Sequence, residues 1–319
     1  MTGSIVVIAG GVGGAKMVQG FVDICAPGTV SIIGNVGDDW EFHGLWVSPD
    51  IDTVTYTLAG LIDQEKGWGV RDESFRVLAA LRGLGRETWM QLGDQDLALH
   101  IYRTERRRNG DRPSDIARDI AERLGVPAAI LLPTDDALHT KVETPMGWLA
   151  FQEYFVRERC APTVTGVRID GAEAAVATPE ALAAIAAAAL IVIAPSNPIV
   201  SIGPILAVPG IREALADRTV PCVAVSPLVG GKAIKGPAVQ MMTALGHTAD
   251  AIGVAGIYGD LVDAFVIDEV DQALAPGLAR PGRDIWVEQT VMRTAEDKRA
   301  LAKRIMARVA EMGLGKVHS

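Results

Sequence analysis

The chain has 319 residues, 49% of them hydrophobic and 22% charged, which is typical of a globular protein with one large or two modest domains. Its net charge of −9 argues against sequence-independent binding of nucleic acid, which depends on clustered lysines and arginines. Cys25, Cys160 and Cys222 lack the spacing of metal ligands, so we expect reduced thiols in a cytoplasmic protein. The most apolar stretch, residues 181–194, is too short to span a bilayer, so no membrane role is expected.

The first sixty residues predict a βαβ-type opening. Apolar strands over residues 4–9 and 30–33 lead into a glycine-rich loop (residues 10–16) and an acidic loop (residues 34–39). A helical pattern follows over residues 54–61. In an open parallel sheet, ligands bind beyond the carboxyl ends of the strands, so both loops are candidates for a binding site.

Residues 61–125 lack a strong β-branched run, and their charged helical patterns predict a mainly helical insertion beside the sheet. Helices are expected over residues 72–84 and 114–124, and Ser114 is the expected cap of the second. The arginine-rich run over residues 103–108 is interpreted as a solvated helix face, because acidic residues are interspersed with it.

Strand patterns return after residue 125. The predicted strands are residues 128–132, 141–144, 148–156, 164–169, 190–194, 221–225 and 285–289, of which the second and third form a hairpin. Thr178 and Pro179 predict the start of one helix. Thr294 and Asp297 predict the start of a last helix, which ends before Gly313.

These elements together predict an α/β, Rossmann-like fold, in which helices flank a mainly parallel sheet. The core is expected to comprise residues 1–60 and 126–319, with residues 61–125 as the mainly helical insertion. There is no internal repeat and no low-complexity linker in the sequence.

The glycine-rich loop is suited to holding an anion. Four of its glycines, Gly10, Gly11, Gly13 and Gly14, fall within five positions, which lets backbone amides approach a phosphate at a helix N-terminus. The spacing departs from both GxGxxG and the Walker A pattern, so the loop alone is weakly specific. Lys16 is either a phosphate ligand or a solvated residue of the first helical turn.

The acidic loop and the segment after it predict a metal site. Asp38 and Asp39 are adjacent, and Asp50 and Asp52 follow within 14 residues. Adjacent carboxylates are unfavourable unless they are solvated, cap a helix or bind a cation. Asp52 has an alternative interpretation as a helix N-cap. Asp38, Asp50 and Asp52 together predict a Mg²⁺ site, with the two that bind left open.

Two later strands end in loops of similar character. Ser196 and Asn197 follow one strand, and Ser226, Gly231 and Lys232 lie in the loop after the next. A simple β-turn and ordinary surface lysines are the alternative interpretations. Because the carboxyl ends of parallel strands meet at one edge of a sheet, all four loops are expected to converge on one crevice.

The first hundred residues also contain candidate contacts for a flat heterocycle. The candidates to stack on such a ring are Trp40, Trp46, Trp68 and Trp89, and packing in the core is the expectation for at least two of them. Asp94 is a candidate for fixing a ring N–H or a ribose hydroxyl, with His100 as its partner. A purely structural pairing is the alternative for these two residues.

The sequence around these residues resembles that of the 2-phospho-L-lactate transferase family, which acts in coenzyme F420 biosynthesis. The matching stretches are residues 9–16, 37–39, 48–60, 92–96 and 194–206. Their order and spacing fit the family from the start of the chain to about residue 235. The blocks around Asp50 and Asn197 are the specific ones, since the glycine loop recurs in many folds.

The resemblance implies a Mg²⁺-dependent, homodimeric enzyme with a Rossmann-like core. In the family, a guanosine-diphospho-activated three-carbon acid is transferred to the terminal ribityl hydroxyl of the deazaflavin FO, and GMP leaves. The acid is phospholactate, phosphoenolpyruvate or phosphoglycerate, and the sequence does not choose among them.

The resemblance also implies roles for individual residues. Asp38, Asp50 and Asp52 would bind Mg²⁺, and one of them would accept the hydroxyl proton. The residues that would bind the nucleotide are Gly11, Gly13, Gly14, Lys16, Ser196, Asn197, Ser226, Gly231 and Lys232. The residues that would face the deazaflavin, partly from the helical insertion, are Asp39, Trp40, Trp89 and Asp94.

The main alternative is a regulatory nucleotide-sugar-binding protein of the same superfamily. That branch shares the glycine and acidic loops but has a DDGGSSG-like run, where this chain has Asp38-Asp39-Trp40-Glu41-Phe42. A nicotinamide-dependent dehydrogenase is disfavoured by the glycine spacing. The sequence therefore favours the transferase.

Overall fold

The computed structural model describes residues 3–233 and 236–315 of the chain. Its strands are β1 (Ser4–Ala9), β2 (Val30–Gly34), β3 (Trp40–Phe42), β4 (Leu45–Val47), β5 (Ala129–Leu131), β6 (His139–Thr144), β7 (Gly147–Ala150), β8 (Gly166–Asp170), β9 (Ala188–Ile193), β10 (Cys222–Val225), β11 (Leu228–Val229), β12 (Lys232–Ala233), β13 (Ala264–Asp268) and β14 (Asp284–Glu288). Its helices are α1 (Gly11–Val22), α2 (Pro49–Leu58), α3 (Arg76–Gly83), α4 (Asp94–Arg108), α5 (Pro113–Arg123), α6 (Pro179–Ala187), α7 (Ile202–Leu206), α8 (Ile211–Ala216), α9 (Ala238–Ala244), α10 (Ala251–Tyr258), α11 (Ala275–Leu278) and α12 (Ala295–Gly315).

The main sheet of the described residues has seven parallel strands in the order β14-β13-β10-β9-β1-β2-β5. Ile5 of β1 pairs with Val30 on one side and Leu190 on the other, so β1 lies inside the sheet. The chain builds outward from β1 to β5 and then crosses back to β9. The strand order therefore reverses between β1 and β9, which is where a doubly wound sheet binds its ligands.

The sheet is covered on both faces, which explains its nearly continuous apolar strands. Val7, Ile8, Val192 and Ile193 are fully buried. Helix α1 packs against both α2 and α12. The α/β, Rossmann-like fold class expected from the sequence is confirmed.

The predicted hairpin after residue 140 is present, but its second strand is shorter than predicted. It ends at Ala150, whereas the sequence predicted a strand to residue 156. Glu153 accepts a hydrogen bond from the Ala150 amide (3.0 Å), and a π-helical turn follows over Glu153–Arg157. A side chain that accepts from the backbone in this way starts a helical turn, so the extended conformation stops there.

Two predicted helices begin later than expected or with a different cap. Helix α3 begins at Arg76, because the Asp94 carboxylate accepts from the amides of Arg76 (3.2 Å) and Val77 (3.1 Å). Helix α5 begins at Pro113, so Ser114 lies inside its first turn and is not the cap. The Ser114 hydroxyl instead donates to Asp135 (2.6 Å). Proline suits the first position because it has no N–H to leave unpaired.

The helix starts predicted in the second half are confirmed. Thr178 accepts from the Ala181 amide (3.2 Å). The Thr294 hydroxyl accepts from the Asp297 amide (3.2 Å), and the Asp297 carboxylate accepts from the Thr294 amide (2.8 Å). The last helix continues to Gly315, so its predicted end before Gly313 is wrong. Glycine lowers helix propensity by about 1 kcal/mol but keeps its backbone donor, so the helix continues through it. Across residues 3–233 and 236–315, every helix is too short or too polar to cross a membrane.

Candidate functional site

A cavity of about 900 Å³ lies at the carboxyl ends of β1, β2, β9 and β10. All four loops that the sequence singled out contribute to it. The predicted site residues that line it are Gly11, Gly13, Lys16, Asp38, Asp50, Asp52, Ser196, Asn197, Ser226 and Lys232. The convergence arises because these strands are parallel and end at the same edge of the sheet.

The glycine-rich segment is the start of α1 rather than a separate loop, and its N-terminus faces the cavity. Gly11 has a φ of +61°, which side chains other than glycine rarely adopt. A Cβ at Gly10 would come within 2.5 Å of Asp50 Oδ2, and one at Gly13 within 2.4 Å of the Pro195 carbonyl oxygen. The glycines thus let the first turn approach α2 and the loop after β9, so that the N-terminus of α1 lines the cavity.

The loop after β9 is tied to the glycine turn by Ser196. Its hydroxyl donates to the carbonyl of Gly10 (2.6 Å) and accepts from the Gly10 amide (3.1 Å). Gly14 does not line the cavity, and a Cβ there would lie 2.6 Å from Ser196 Oγ. Gly14 therefore serves the packing of this junction rather than offering a surface to a ligand.

Asn197 has a free donor at the cavity wall. Its Oδ1 accepts from the amides of Ile199 (2.9 Å) and Val200 (3.3 Å), which fixes the side chain. Its Nδ2 is buried and has no hydrogen-bond partner among the described residues. Because a buried donor without a partner is unfavourable, a ligand oxygen is the natural acceptor for this N–H.

Two buried aspartates form the acidic centre of the cavity. Asp50 accepts from Asn35 Nδ2 (2.9 Å), and burial raises the pKa of Asp50 to about 6. Burial and, next, the Asp50 carboxylate raise the pKa of Asp38 well above its usual range. Asp38 Oδ1 is buried and has no partner among the described residues. Neighbouring buried carboxylates repel each other, so a cation between them would relieve both.

Asp52 has a different environment from the other two aspartates. Arg103 forms a two-pronged ion pair with it, one contact of which measures 3.1 Å. Arg103 is only 6% exposed, so the predicted solvated face of residues 103–108 is wrong at this position. Asp52 is not the N-cap of α2 either, since Ser48 occupies that position. The charge of Asp52 is already balanced within the protein.

The donor set fits Mg²⁺ through Asp38 and Asp50. In the described ranges, 3–233 and 236–315, there is no group of three or more acidic, histidine or cysteine side chains arranged to hold a metal ion. Mg²⁺ needs only one or two carboxylates when waters and substrate phosphates complete its shell. Asp38, with its unpartnered Oδ1, and Asp50 both line the cavity and match that requirement.

Helix α4 contributes a polar network that the sequence did not predict. The Tyr56 hydroxyl donates to Asp96 Oδ1 (2.6 Å), and His100 Nε2 lies 3.5 Å from the same oxygen. Burial acts to raise the pKa of Asp96, but polar contacts with His100 and Tyr56 outweigh it and lower that pKa. The predicted pairing of His100 with Asp94 is wrong, because the Asp94 carboxylate binds Ser74 (2.7 Å) and the start of α3. The signal that was missed is the spacing of Asp96, His100 and Arg103, which places all three on one helix face.

None of the four residues assigned to the deazaflavin lines the cavity. Asp39 accepts from Trp46 Nε1 (2.9 Å) and Ser48 Oγ (2.8 Å), and burial raises the pKa of Asp39 to about 7. Trp40 and Trp89 pack in a separate apolar cluster around Phe42. The fourth, Asp94, holds the start of α3, as described above. The apolar side chains that line the cavity instead include Trp68, Met90, Leu92, Phe151 and Phe155.

The β11–β12 hairpin reaches the cavity through only part of its predicted set. Ser226 and Lys232 line the cavity, whereas Gly231 is exposed at the turn and does not. The Ser226 hydroxyl donates to the carbonyl of Leu228 (3.0 Å), so it shapes the turn. Gly230 donates its amide to Asp271 Oδ2 (3.0 Å), which anchors the hairpin to the segment after β13.

Known proteins are similar in sequence to this chain over most of its length. The chain is 43% identical to a phosphoenolpyruvate transferase of Streptomyces coelicolor, over 84% of this chain and 86% of that protein. It is 37% identical to a 2-phospho-L-lactate transferase of Methanospirillum hungatei JF-1, over 96% of this chain and 98% of that protein.

The fold also occurs in a solved structure. A Bacillus halodurans protein of the UPF0052 family superposes with a TM-score of 0.62 at 17% identity, covering 96% of this chain and 99% of that one. Such low identity shows a shared fold alone. The family model described as 2-phospho-L-lactate transferase CofD matches residues 5–306, so this chain belongs to that family.

Proposed function

We propose that the protein transfers a phospho-(three-carbon acid) group from a guanosine-diphospho donor to the ribityl hydroxyl of FO in coenzyme F420 biosynthesis. The hydroxyl oxygen forms a bond to the phosphorus that carries the acid, the bond from that phosphorus to the GMP oxygen breaks, and GMP leaves. The observation that carries this proposal is the buried Asp38–Asp50 pair beside the N-terminus of α1.

The residues around this pair suit transfer at phosphorus, which needs mainly positioning and neutralisation of charge. Asp38 and Asp50 would hold Mg²⁺, which would offset negative charge on the phosphorus oxygens. The amides of the first turn of α1 and the free Nδ2 of Asn197 donate to the diphosphate. A carboxylate of the acidic pair takes the proton of the attacking hydroxyl.

The shape of the cavity supports a two-substrate reaction. Its volume of about 900 Å³ is at the upper end for small-molecule sites, which matches a nucleotide beside a tricyclic ring. Trp68, Phe151 and Phe155 offer flat apolar surfaces to that ring, in place of Trp40 and Trp89. Ser226 and Lys232, which also line the cavity, are the proposed contacts of the guanosine.

The transferred acid belongs to the set of phospholactate, phosphoenolpyruvate and phosphoglycerate. The Streptomyces coelicolor relative is named for phosphoenolpyruvate and the Methanospirillum hungatei relative for phospholactate. We also propose a cytoplasmic homodimer, which the resemblance to the family implies.

A fluorescence titration with FO, in the presence of GDP and Mg²⁺, tests the proposal. We expect saturable FO binding, and weaker binding when Asp50→Asn replaces the wild type. The proposal fails if FO does not bind while a UDP-sugar does, since the chain would then be a regulatory nucleotide-sugar-binding protein.

A further inference from the structure

Asp96 and His100 form a second polar centre in the cavity, on the face that α4 turns toward α2. Both side chains line the cavity, and His100 is only 1% exposed. Its Nε2 is buried and has no hydrogen-bond partner among the described residues, since the 3.5 Å separation from Asp96 Oδ1 is too long for one. The transfer chemistry proposed above uses neither residue.

Arg103 fixes which nitrogen of His100 carries the proton. Its guanidinium lies 3.3 Å from His100 Nδ1, and a guanidinium can only donate. In this contact Nδ1 accepts, and the corresponding tautomer of the imidazole carries its proton on Nε2. The same guanidinium nitrogen also donates to Asp52 Oδ2 (3.1 Å), which holds Arg103 in this position. The cavity thus contains an N–H donor next to a carboxylate.

The spacing of this pair selects the chemistry of its ligand. His100 Nε2 and Asp96 Oδ1 are only 3.5 Å apart. A single hydroxyl oxygen at about 2.8 Å from each of them would therefore form two hydrogen bonds with an unfavourable acute angle between them. Adjacent C=O and N–H groups of a ring can instead bind both at once with nearly parallel bonds. The ring carbonyl would accept from His100 Nε2, and the ring N–H would donate to Asp96.

We propose that Asp96 and His100 bind the lactam edge of a substrate ring, with Arg103 as the positioning residue that sets the His100 tautomer. The inference rests on the proposed function, which supplies two rings with such an edge. One is the pyrimidinedione of the deazaflavin, and the other is the guanine of the donor. The Tyr56 hydroxyl donates to Asp96 Oδ1 (2.6 Å) and so orients its carboxylate.

Binding measurements with paired ligands test this. The probes are FO, FO methylated on its ring N–H, GDP and N1-methyl-GDP, each titrated against the full chain. The variants are His100→Phe, which removes the donor, His100→Gln, which retains an N–H, and Asp96→Asn. His247→Phe is the matched control, since His247 is exposed and outside the cavity. Thermal unfolding of each variant reports whether it is folded.

If the deazaflavin occupies the pair, His100→Phe weakens FO binding about tenfold or more and leaves GDP binding unchanged. His100→Gln restores most of the affinity, and methylated FO binds wild type and His100→Phe equally weakly. If guanine occupies the pair, the same pattern appears with GDP and N1-methyl-GDP. A merely structural role would not produce this dependence on ligand methylation.

The inference is overturned if folded His100→Phe and Asp96→Asn bind FO and GDP as wild type does. It is also overturned if wild type binds both methylated ligands as tightly as their parents, a result that needs no variant to fold. If wild type binds neither FO nor GDP, the proposed function fails and the inference fails with it. If wild type and variants all bind FO and GDP with the same affinity, the inference is wrong while the proposed function stands.

Discussion

Arg103 and Asp52 form a buried, two-pronged ion pair that divides the three aspartates of the cavity into two kinds. Asp52 is neutralised by a protein partner, whereas the charge of Asp50 raises the pKa of Asp38, and the hydrogen bonds that Asp50 accepts within residues 3–233 and 236–315 come from neutral groups such as Asn35. The two kinds are expected to respond in opposite ways to the same substitution, from carboxylate to amide.

Asp38→Asn and Asp50→Asn are expected to lower turnover by at least about 100-fold, because each removes a carboxylate proposed to hold Mg²⁺. Neither is expected to destabilise the metal-free protein at pH 8, since each relieves repulsion between buried charges. Steady-state turnover and urea unfolding measure the two effects. Full activity in either variant would exclude that residue from the metal site.

Asp52→Asn is expected to destabilise the protein by about 3–5 kcal/mol, because it leaves the Arg103 guanidinium buried without its counter-charge. The double variant Asp52→Leu with Arg103→Met removes both charges and is expected to regain most of that stability. Urea unfolding of the single and double variants gives the comparison. Equal stability of wild type and Asp52→Asn would show that the pair contributes little.

Asp39 is expected to make stability depend on pH. Its pKa is raised from 3.8 to about 7 on folding, so the folded protein binds the proton more tightly. Protonated Asp39 therefore stabilises the folded protein fully below about pH 4, and this stabilisation is lost as the pH rises to about 7. The free energy of unfolding falls by about 4 kcal/mol across that range.

Asp39→Asn isolates this effect, because an amide oxygen can still accept from Trp46 and Ser48. The variant should match wild type near pH 4 and exceed it in unfolding free energy above pH 7. If the difference in unfolding free energy between Asp39→Asn and wild type does not change with pH, the pKa of Asp39 is not raised on folding.

Gly13→Ala is expected to disrupt the start of α1, because its Cβ would lie 2.4 Å from the Pro195 carbonyl. The junction of the two loops must open, so weaker GDP binding should accompany a lower unfolding temperature. Gly83→Ala is the matched control, since its Cβ would have nothing within 4 Å and alanine favours the helix by about 1 kcal/mol. Equal GDP affinity in Gly13→Ala and wild type would argue against a nucleotide at this turn.

The sheet and the convergence of its loops could be predicted from the sequence, because both follow from local patterns. The sequence shows apolar strands that are followed by Gly11, Asp38 or Asn197, and parallel strands must bring these following segments to one edge of the sheet. The confirmed cap at Thr178 is local in the same sense.

The partners of individual side chains could not be predicted in this way. Arg103 resembled a solvated residue because only the tertiary approach of α4 to α2 buries it against Asp52. Trp40 and Trp89 resembled stacking residues, but the fold packs them around Phe42, where they do not line the cavity. Such contacts join residues far apart in the chain, so composition and spacing do not determine them.

The most direct test is a mass-spectrometric turnover assay with FO, Mg²⁺ and each of the three guanosine-diphospho-activated acids. We expect one of the acids to give an FO phosphodiester and GMP in equal amounts, with neither product formed when FO is omitted. Failure of all three acids to yield an FO phosphodiester, with protein that binds FO, would contradict the proposed transfer.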